Sequence, residues 1–465
     1  MTGRIRHVGV IDIGKTNLKV AVVDLVRETE IGVLTRPNRV LPGPPYPHFD
    51  LESHWNFVCD ALYTLNGRHG IEALSVTTHG ASGVLLNREG DFAAPMLDYE
   101  CDGPDAVAAE YDLIRPDFDE TGSPRLAMGL NLGAQLYWQL KSDPDLLDRI
   151  ATVLTYPQYW TYRLTGVLAN EVTSLGCHTD LWSPAKNRYS ALVAKLGLTE
   201  KMAPVKKAGD RIGKLLPRVA ERTGLAENTP VVCGLHDSNA SLYPHLLRRT
   251  PPFSVVSTGT WVIALAVGGD DVVPDPHRDT LINVNAFGDP VPSARFMGGR
   301  EFDLVMKGRN AVQGQAGTTR VLRDRIMLFP AVEPRSGPFQ GQVARWSIPE
   351  EDLTDGERYA AVSFYLAMMT SECPLMTGAQ GPVIVEGPFA KNALYLEMLE
   401  AATQRTVHAP EGIATGTSIG AALLFGEQDT SRGQTTVAEE TGIDPKPELR
   451  SYAGSWRDTV RASLK

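Results

Sequence analysis

Cysteine is scarce in this chain. Cys59, Cys101, Cys177, Cys233 and Cys373 are scattered over 465 residues, with no C-x-x-C spacing. That pattern excludes a disulfide scaffold and a thiolate zinc centre, and fits reduced structural thiols in a cytoplasmic protein. The ten histidines are as dispersed as the cysteines. No apolar run reaches the roughly 18 residues a membrane helix needs, so no membrane partner is expected. The opening residues are basic, but their apolar run meets Asp12 too soon for a secretory signal. Positive charge is also short. The formal net charge is −10, which argues against nucleic acid as a partner.

What is present is an ordinary globular composition, 43% hydrophobic and 22% charged, in a chain long enough for two or more domains. Residues 8–24 (VGVIDIGKTNLKVAVVD) stand out. Two Val- and Ile-rich runs flank Gly14-Lys15-Thr16-Asn17 and read as a β-hairpin. Asp12 lies just before the turn, where a buried carboxylate needs donors or a cation. Residues 9–16 fit the phosphate-loop pattern G-x-x-x-x-G-K-[ST]. That motif needs a loop leading into a helix, whereas 10–13 and 18–23 both read as strand. A small-residue turn can still cradle phosphate on its backbone N–H groups. A plain core hairpin without ligand stays open at this point.

The rest alternates helix and strand. Helical periodicity covers 51–65, 136–147, 156–164 with Gly166 as C-cap, 359–376, 392–403, 416–425 and 455–464. Strands are expected at 73–78, 84–87, 230–233 and 381–387, and 428–436 reads as exposed polar chain. At 253–267 (FSVVSTGTWVIALAV) the opening pattern returns, with Ser257-Thr258-Gly259-Thr260 in the place of Asp12-Ile13-Gly14-Lys15. Two such hairpins, half a chain apart, suggest two domains built alike, here 1–245 and 246–465.

The ordered segments DIGKTN (12–17), TTHGASG (77–83), LTGVLANEVTS (164–174), GLHDSNA (234–240), STGTW (257–261), EGPFAKN (386–392) and GTSIGAALLFG (416–426) together resemble the FGGY family of carbohydrate kinases. The resemblance implies an α/β fold of two ribonuclease-H-like (actin-like ATPase) domains with a central interdomain cleft. It implies ATP and Mg²⁺ as cofactors and a small-molecule sugar as partner, and leaves a homodimer open. The chain departs from the family at Gly387-Pro388, where a Gly-Gly pair is usual and proline removes an N–H donor. GGREFD (298–303) has no counterpart that we can place.

By this resemblance Asp237 is the catalytic base, although Asp is also a favoured helix cap. Asp12 helps hold Mg²⁺, a cation that prefers oxygen ligands and keeps several waters. Gly14, Lys15, Thr16 and Asn17 in one turn, and Thr258, Gly259 and Thr260 in the other, hold phosphates. Gly387, Asn392 and Gly416 line the adenosine site. His79, Gly80, Ser82, Asp98 and His236, with Asp237 itself, face the sugar. The text around His79 and the His236-Asp237 pair is similar to L-fuculose and L-rhamnulose kinases, which implies a 6-deoxyketohexose phosphorylated at its 1-hydroxyl. L-ribulose, xylulose or a polyol is the alternative substrate. A nucleotide-dependent switch without sugar chemistry is the more distant alternative.

Overall fold

The computed structural model describes residues 4–309, 315–409, 416–426 and 446–464; the polar stretch 428–436 lies outside them. Strands β1 (His7–Ile13) and β2 (Asn17–Asp24) form the first hairpin, with Asp12 opposite Lys19 and Ile13 opposite Leu18. Every residue of β1 after His7 is buried. A strand covered on both faces needs a near-continuous apolar run, which the sequence supplies except at Asp12. β3 (Thr29–Pro37) adds antiparallel to β2. Helix α1 (Leu51–His69) then crosses over to β4 (Ala73–Thr78), which runs parallel to β1. Asp50 starts α1 by accepting the Ser53 N–H at 3.0 Å, and Arg68 and His69 sit in its last turn, opposite charges suiting opposite ends of the dipole. Val58, Leu62 and Leu65 of α1 pack on Ile11, Val20 and Val22 of the sheet.

Helix α2 (Leu132–Ser142) stops short of the expected 136–147, and Leu146–Arg149 forms a separate turn. Pro144 explains the break, because proline pushes the preceding residue out of helical geometry. α3 (Tyr156–Thr165) ends as expected, with Gly166 left-handed at φ 75°. A short α4 (Val172–Leu175) follows. β5 (Arg211–Lys214), β6 (Pro230–Val232) and β7 (Leu235–His236) complete the sheet, in the order β5-β6-β4-β1-β2-β3 with β7 on β4. α5 (Asp237–Arg248) leaves the end of β7 directly.

A second sheet repeats the plan. β8 (Phe253–Thr258) and β9 (Val262–Val267) form the second hairpin, with Thr258 opposite Val262. β10 (Thr280–Val284) and β11 (Pro290–Phe296) extend it on the β9 side. After α6 (Gly298–Met306) and the long α7 (Asp355–Met376), β12 (Val383–Glu386) pairs parallel to β8, as β4 does to β1. α8 (Ala393–Thr403) and β13 (Val407–His408) follow. α7 begins four residues before the periodic stretch because Thr354 and Glu357 form a reciprocal capping box.

α9 (Thr417–Ala422) runs into a tight turn at Leu423–Phe425, and α10 (Pro447–Ser463) closes the chain. α10 starts eight residues before the expected 455, with Pro447 in its first turn, where a missing N–H costs nothing. The chain forms two compact units. One comprises Met1–Arg248, Ile282–Pro290 and Ala414–Gly433, the other Arg249–Leu281, Val291–Ile413 and Gln434–Lys465. The two units interleave along the chain, and α9 lies in the same unit as β1. Among the described residues no helix is long and apolar enough to cross a membrane.

Candidate functional site

In the first unit β1, β4 and β7 run parallel, with Thr77 beside Asp12 on one flank and Leu235 on the other. Their carboxyl ends therefore share one edge of the sheet, where ligands of α/β folds bind. Asp12, His79 and Asp237 emerge there. Asp12 is 7% exposed, and its Oδ2 accepts hydrogen bonds from the Thr417 hydroxyl and, at 3.1 Å, the Ser418 hydroxyl. The Lys19 ammonium lies 3.1 Å from the same oxygen. Asp12 Oδ1 has no hydrogen bond among the described residues.

No group of three or more His, Cys, Asp or Glu among the described residues could hold a metal by itself. One free carboxylate oxygen, with the remaining ligands from phosphate and water, suits Mg²⁺, which keeps several waters. Asp12 fits that role. The turn after it is tied by its own backbone. Gly14 N–H donates to the Asn17 carbonyl at 2.9 Å, and Asn38 closes it from N–H to the Thr16 carbonyl at 2.8 Å. Thr16 and Asn17 are exposed and Gly14 half-buried.

Asp237 opens α5 rather than capping it from outside. Its Oδ1 accepts the Ser238 N–H at 2.6 Å and faces His236 Nε2 at 3.1 Å. Loss of hydration raises the carboxyl to about 6, with Asp12 adding to the rise and His79 opposing it. His236 is pushed down to about 4 by burial, and its Nε2 also lies 3.6 Å from the Cys177 sulfur. Gly80 is required beside it, because a Cβ there would come within 2.8 Å of His236 Nε2. Beneath this pair lies a group that sequence reasoning missed. Glu171 is fully buried and raised by burial to about 7. It accepts the Thr173 hydroxyl at 2.6 Å, and that hydroxyl accepts the His236 N–H at 3.0 Å. The backbone leading into Asp237 is thus fixed from below. Glu171 is visible in the NEVTS segment as an acid three residues ahead of a serine, but its burial is not.

His79 is buried and lowered to about 4 by desolvation. Its Nδ1 meets the Gly80 carbonyl at 2.9 Å and lies 3.5 Å from the Ser82 hydroxyl; Nε2 is buried without a partner. Three rings surround it: Tyr156 at 5.0 Å, Tyr99 at 5.3 Å and Phe49 at 5.4 Å between centroids. An unpaired ring nitrogen walled by aromatic faces is a place for a hydroxyl on a partly apolar ligand. Asp98 is buried as well, paired with Lys15. Asp237, Lys15 and His236 all act electrostatically on His79, so these residues form one neighbourhood.

The second unit gathers the other expected residues. The Thr258 hydroxyl bridges two loops: it donates to the Glu386 carbonyl and accepts the Phe389 N–H at 3.1 Å. Gly387, at φ 82°, abuts the Thr258 carbonyl so closely that any Cβ would overlap it. Pro388 is no defect here, because it starts a short 3-10 turn (Pro388–Lys391) where its N–H is not needed. The Asn392 side chain caps α8, accepting the Tyr395 N–H at 3.2 Å and donating to Ser363 at 2.9 Å. The Gly259 N–H donates to the Trp261 carbonyl at 2.9 Å, leaving Thr260 exposed. The unplaced GGREFD segment braces this turn. Gly299 N–H donates to the Thr260 carbonyl at 3.2 Å, and a Cβ on Gly299 would overlap Gly259. Gly416, grouped by sequence with these residues, instead precedes α9 in the first unit.

A hairpin with a parallel third strand, built twice in one chain, is the plan of the actin-like ATPase fold. Residues 7–243 match the N-terminal domain of the FGGY family of carbohydrate kinases, and 250–434 match its C-terminal domain. The chain belongs to the FGGY family of carbohydrate kinases. A solved carbohydrate kinase from Novosphingobium aromaticivorans is 32% identical, with all of both chains covered and a TM-score of 0.87. L-fuculokinase of Escherichia coli (strain K12) is 27% identical over 42% of this chain, a match spanning only 41% of that enzyme. Autoinducer-2 kinase of Salmonella paratyphi B is 23% identical over 94% of this chain and 90% of its own length.

Proposed function

We propose that this protein transfers the γ-phosphoryl group of ATP to a hydroxyl of a neutral ketose, with a 6-deoxyketohexose such as L-fuculose or L-rhamnulose favoured and the 1-phosphate as product. One observation carries the reading: Asp237, perched at the shared strand edge and hydrogen-bonded to its own helix N-terminus, lies beside a histidine whose free nitrogen is walled by aromatic rings. In the reaction the sugar 1-hydroxyl oxygen forms a bond to the γ-phosphorus as the bond to the ADP oxygen breaks. The hydroxyl proton passes to the Asp237 carboxylate. Such transfers depend on alignment and charge stabilisation more than on covalent chemistry. His79 Nε2 and Asp98 would accept or donate to the other hydroxyls, and Phe49, Tyr99 and Tyr156 would face the deoxy carbon. Mg²⁺, when bound at Asp12, supplies neutralisation of phosphate charge. Gly259, Thr260, Gly387 and their neighbours in the second unit would hold the nucleotide.

Charge narrows the substrate class. Asp12, Asp98, Glu100 and Asp237 outnumber Lys15 and Lys19 in this neighbourhood, so a sugar acid should be rejected by like-charge repulsion. The deciding experiment is coupled ADP release with L-fuculose, L-rhamnulose, L-ribulose, L-xylulose, a polyol, autoinducer-2 and gluconate. Turnover of a neutral ketose with gluconate inert is expected. Preferential turnover of gluconate, or turnover of no sugar at all, refutes the assignment.

A pH profile gives an independent test. The base works ionised, and its carboxyl is raised to about 6. kcat/KM should therefore rise with pH along a single-proton limb centred near 6 and level off above it. His79 and His236, both lowered to about 4, are neutral throughout that range and add no second limb. A flat profile from pH 5 to 8 would remove Asp237 from the role.

A further inference from the structure

Lys15 occupies the position that the phosphate-loop pattern reserves for a phosphate-binding lysine. Its side chain does something else. The ammonium pairs with the Asp98 carboxylate, lies 3.1 Å from Glu100, and sits over the Tyr99 ring at 4.6 Å and the Phe49 ring at 5.2 Å. Both rings pack on His79. Only 20% of the Lys15 side chain and 7% of the Asp98 side chain remain exposed. The Asp98 oxygen that takes the ammonium also accepts the Glu100 N–H at 3.2 Å; its Oδ2 has no hydrogen bond among the described residues.

We propose that Lys15 is a positioning residue for the sugar side of the site, holding Asp98 so that Oδ2 accepts hydroxyls of a neutral polyhydroxy substrate, and is not a phosphate grip. The inference rests on the sugar-kinase reading given above. Two carboxylates share one ammonium, so removing the ammonium leaves Asp98 and Glu100 facing each other unneutralised. Two aromatic faces favour a cation in the same place, and each also forms part of the wall around His79. Lys15 therefore sets both the orientation of the acid and the spacing of the rings. A charge-assisted hydrogen bond is worth about 1.5–3 kcal/mol. Its loss converts to a tenfold to hundredfold effect where the orientation matters, each roughly 1.4 kcal/mol being a factor of ten.

The test uses the full chain with Lys15→Met, which keeps length and apolar stem, and Lys15→Arg, which keeps charge and stacking. Steady-state kinetics on the turned-over ketose are read with sugar-induced and ATP-induced shifts in melting temperature. Lys15→Met should raise the sugar KM about tenfold or more and abolish the sugar-induced shift. ATP KM and the ATP-induced shift should stay within twofold of wild type, and Lys15→Arg should recover most of the sugar KM. A rise in ATP KM with the sugar KM unchanged overturns the proposal in favour of a phosphate contact. Unchanged values for both overturn it in favour of a surface ion pair. A wild-type protein that turns over a ketose while Lys15→Met leaves the sugar KM intact sinks this inference alone. A wild-type protein neither turning over nor stabilised by any sugar sinks it together with the reading beneath it.

Discussion

Asp237→Asn is expected to lower kcat by about 10²–10⁴-fold, the range general acid–base catalysis commonly supplies. Asparagine keeps the shape and can still accept the Ser238 N–H that Asp237 Oδ1 accepts at 2.6 Å. It cannot take the hydroxyl proton. The sugar KM should change little, since the other polar groups around His79 are untouched. Stability should move the opposite way from activity. The Asp237 carboxyl titrates near 6 in the fold, above its ordinary value, so the folded state bears a charge penalty that builds as pH climbs from about 4 and is complete above 6. The variant lacks that penalty, and its melting temperature at pH 8 should equal or exceed that of wild type. Kinetics and thermal melts at pH 5 and pH 8 check both. A variant retaining more than a tenth of wild-type kcat would exclude Asp237 as base. Sugar-independent ATP hydrolysis unaltered by the substitution would point to a nucleotide switch.

Gly420→Ala should be as damaging by a different route. A Cβ on Gly420 would overlap the Ala240 carbonyl oxygen, where α9 crosses α5. That neighbour is helix backbone and cannot swing aside as a side chain could. Overpacking of this kind costs about 1–3 kcal/mol, occasionally more. α9 must retreat, and with it the Thr417 and Ser418 hydroxyls that hold Asp12. The expected result is a melting temperature several degrees lower, together with a raised Mg²⁺-ATP requirement and a sugar-induced stabilisation that persists. A fully active Gly420→Ala protein with an unchanged melting temperature would show that the two helices have room to part.

The two hairpins were legible in the sequence because their signals are local: β-branched runs flanking small-residue turns, with the pattern repeated at 253–267. Gly166 was legible for the same reason, as a residue free to adopt a positive φ at a helix end. The break at Pro144 was equally local and shows how periodicity overruns a boundary when the apolar spacing continues past the proline. What lay beyond reach were partnerships between distant segments. Nothing near Asp12 announces Thr417. Nothing in GKTN says that Lys15 turns toward Asp98 rather than toward its own turn. The roles expected of Thr258, Gly387 and Asn392 rest on motif position. The structure adds that each also holds its loop together, through the Thr258 bridge, the close approach of Gly387 and the cap made by Asn392. Motifs record which residues matter, and packing decides what each of them touches.

The placement of α9 also bears on how the molecule is made. The hydroxyl that steadies Asp12 lies 405 residues downstream of it. At translation rates of about 5–20 residues per second, roughly 20–80 s separate the emergence of the two partners. Once β7 has been made, the first sheet has all its strands but lacks the helix that belongs to it, and the apolar faces that Ile419, Ala421 and Ala422 later cover, among them Val8, Val10 and Val232, are without that cover. The nascent first unit therefore keeps that flank uncovered until α9 has been made. Messages truncated before codon 416 should yield a protein with an unguarded carboxylate and an uncovered flank, prone to aggregation whatever sugar is supplied.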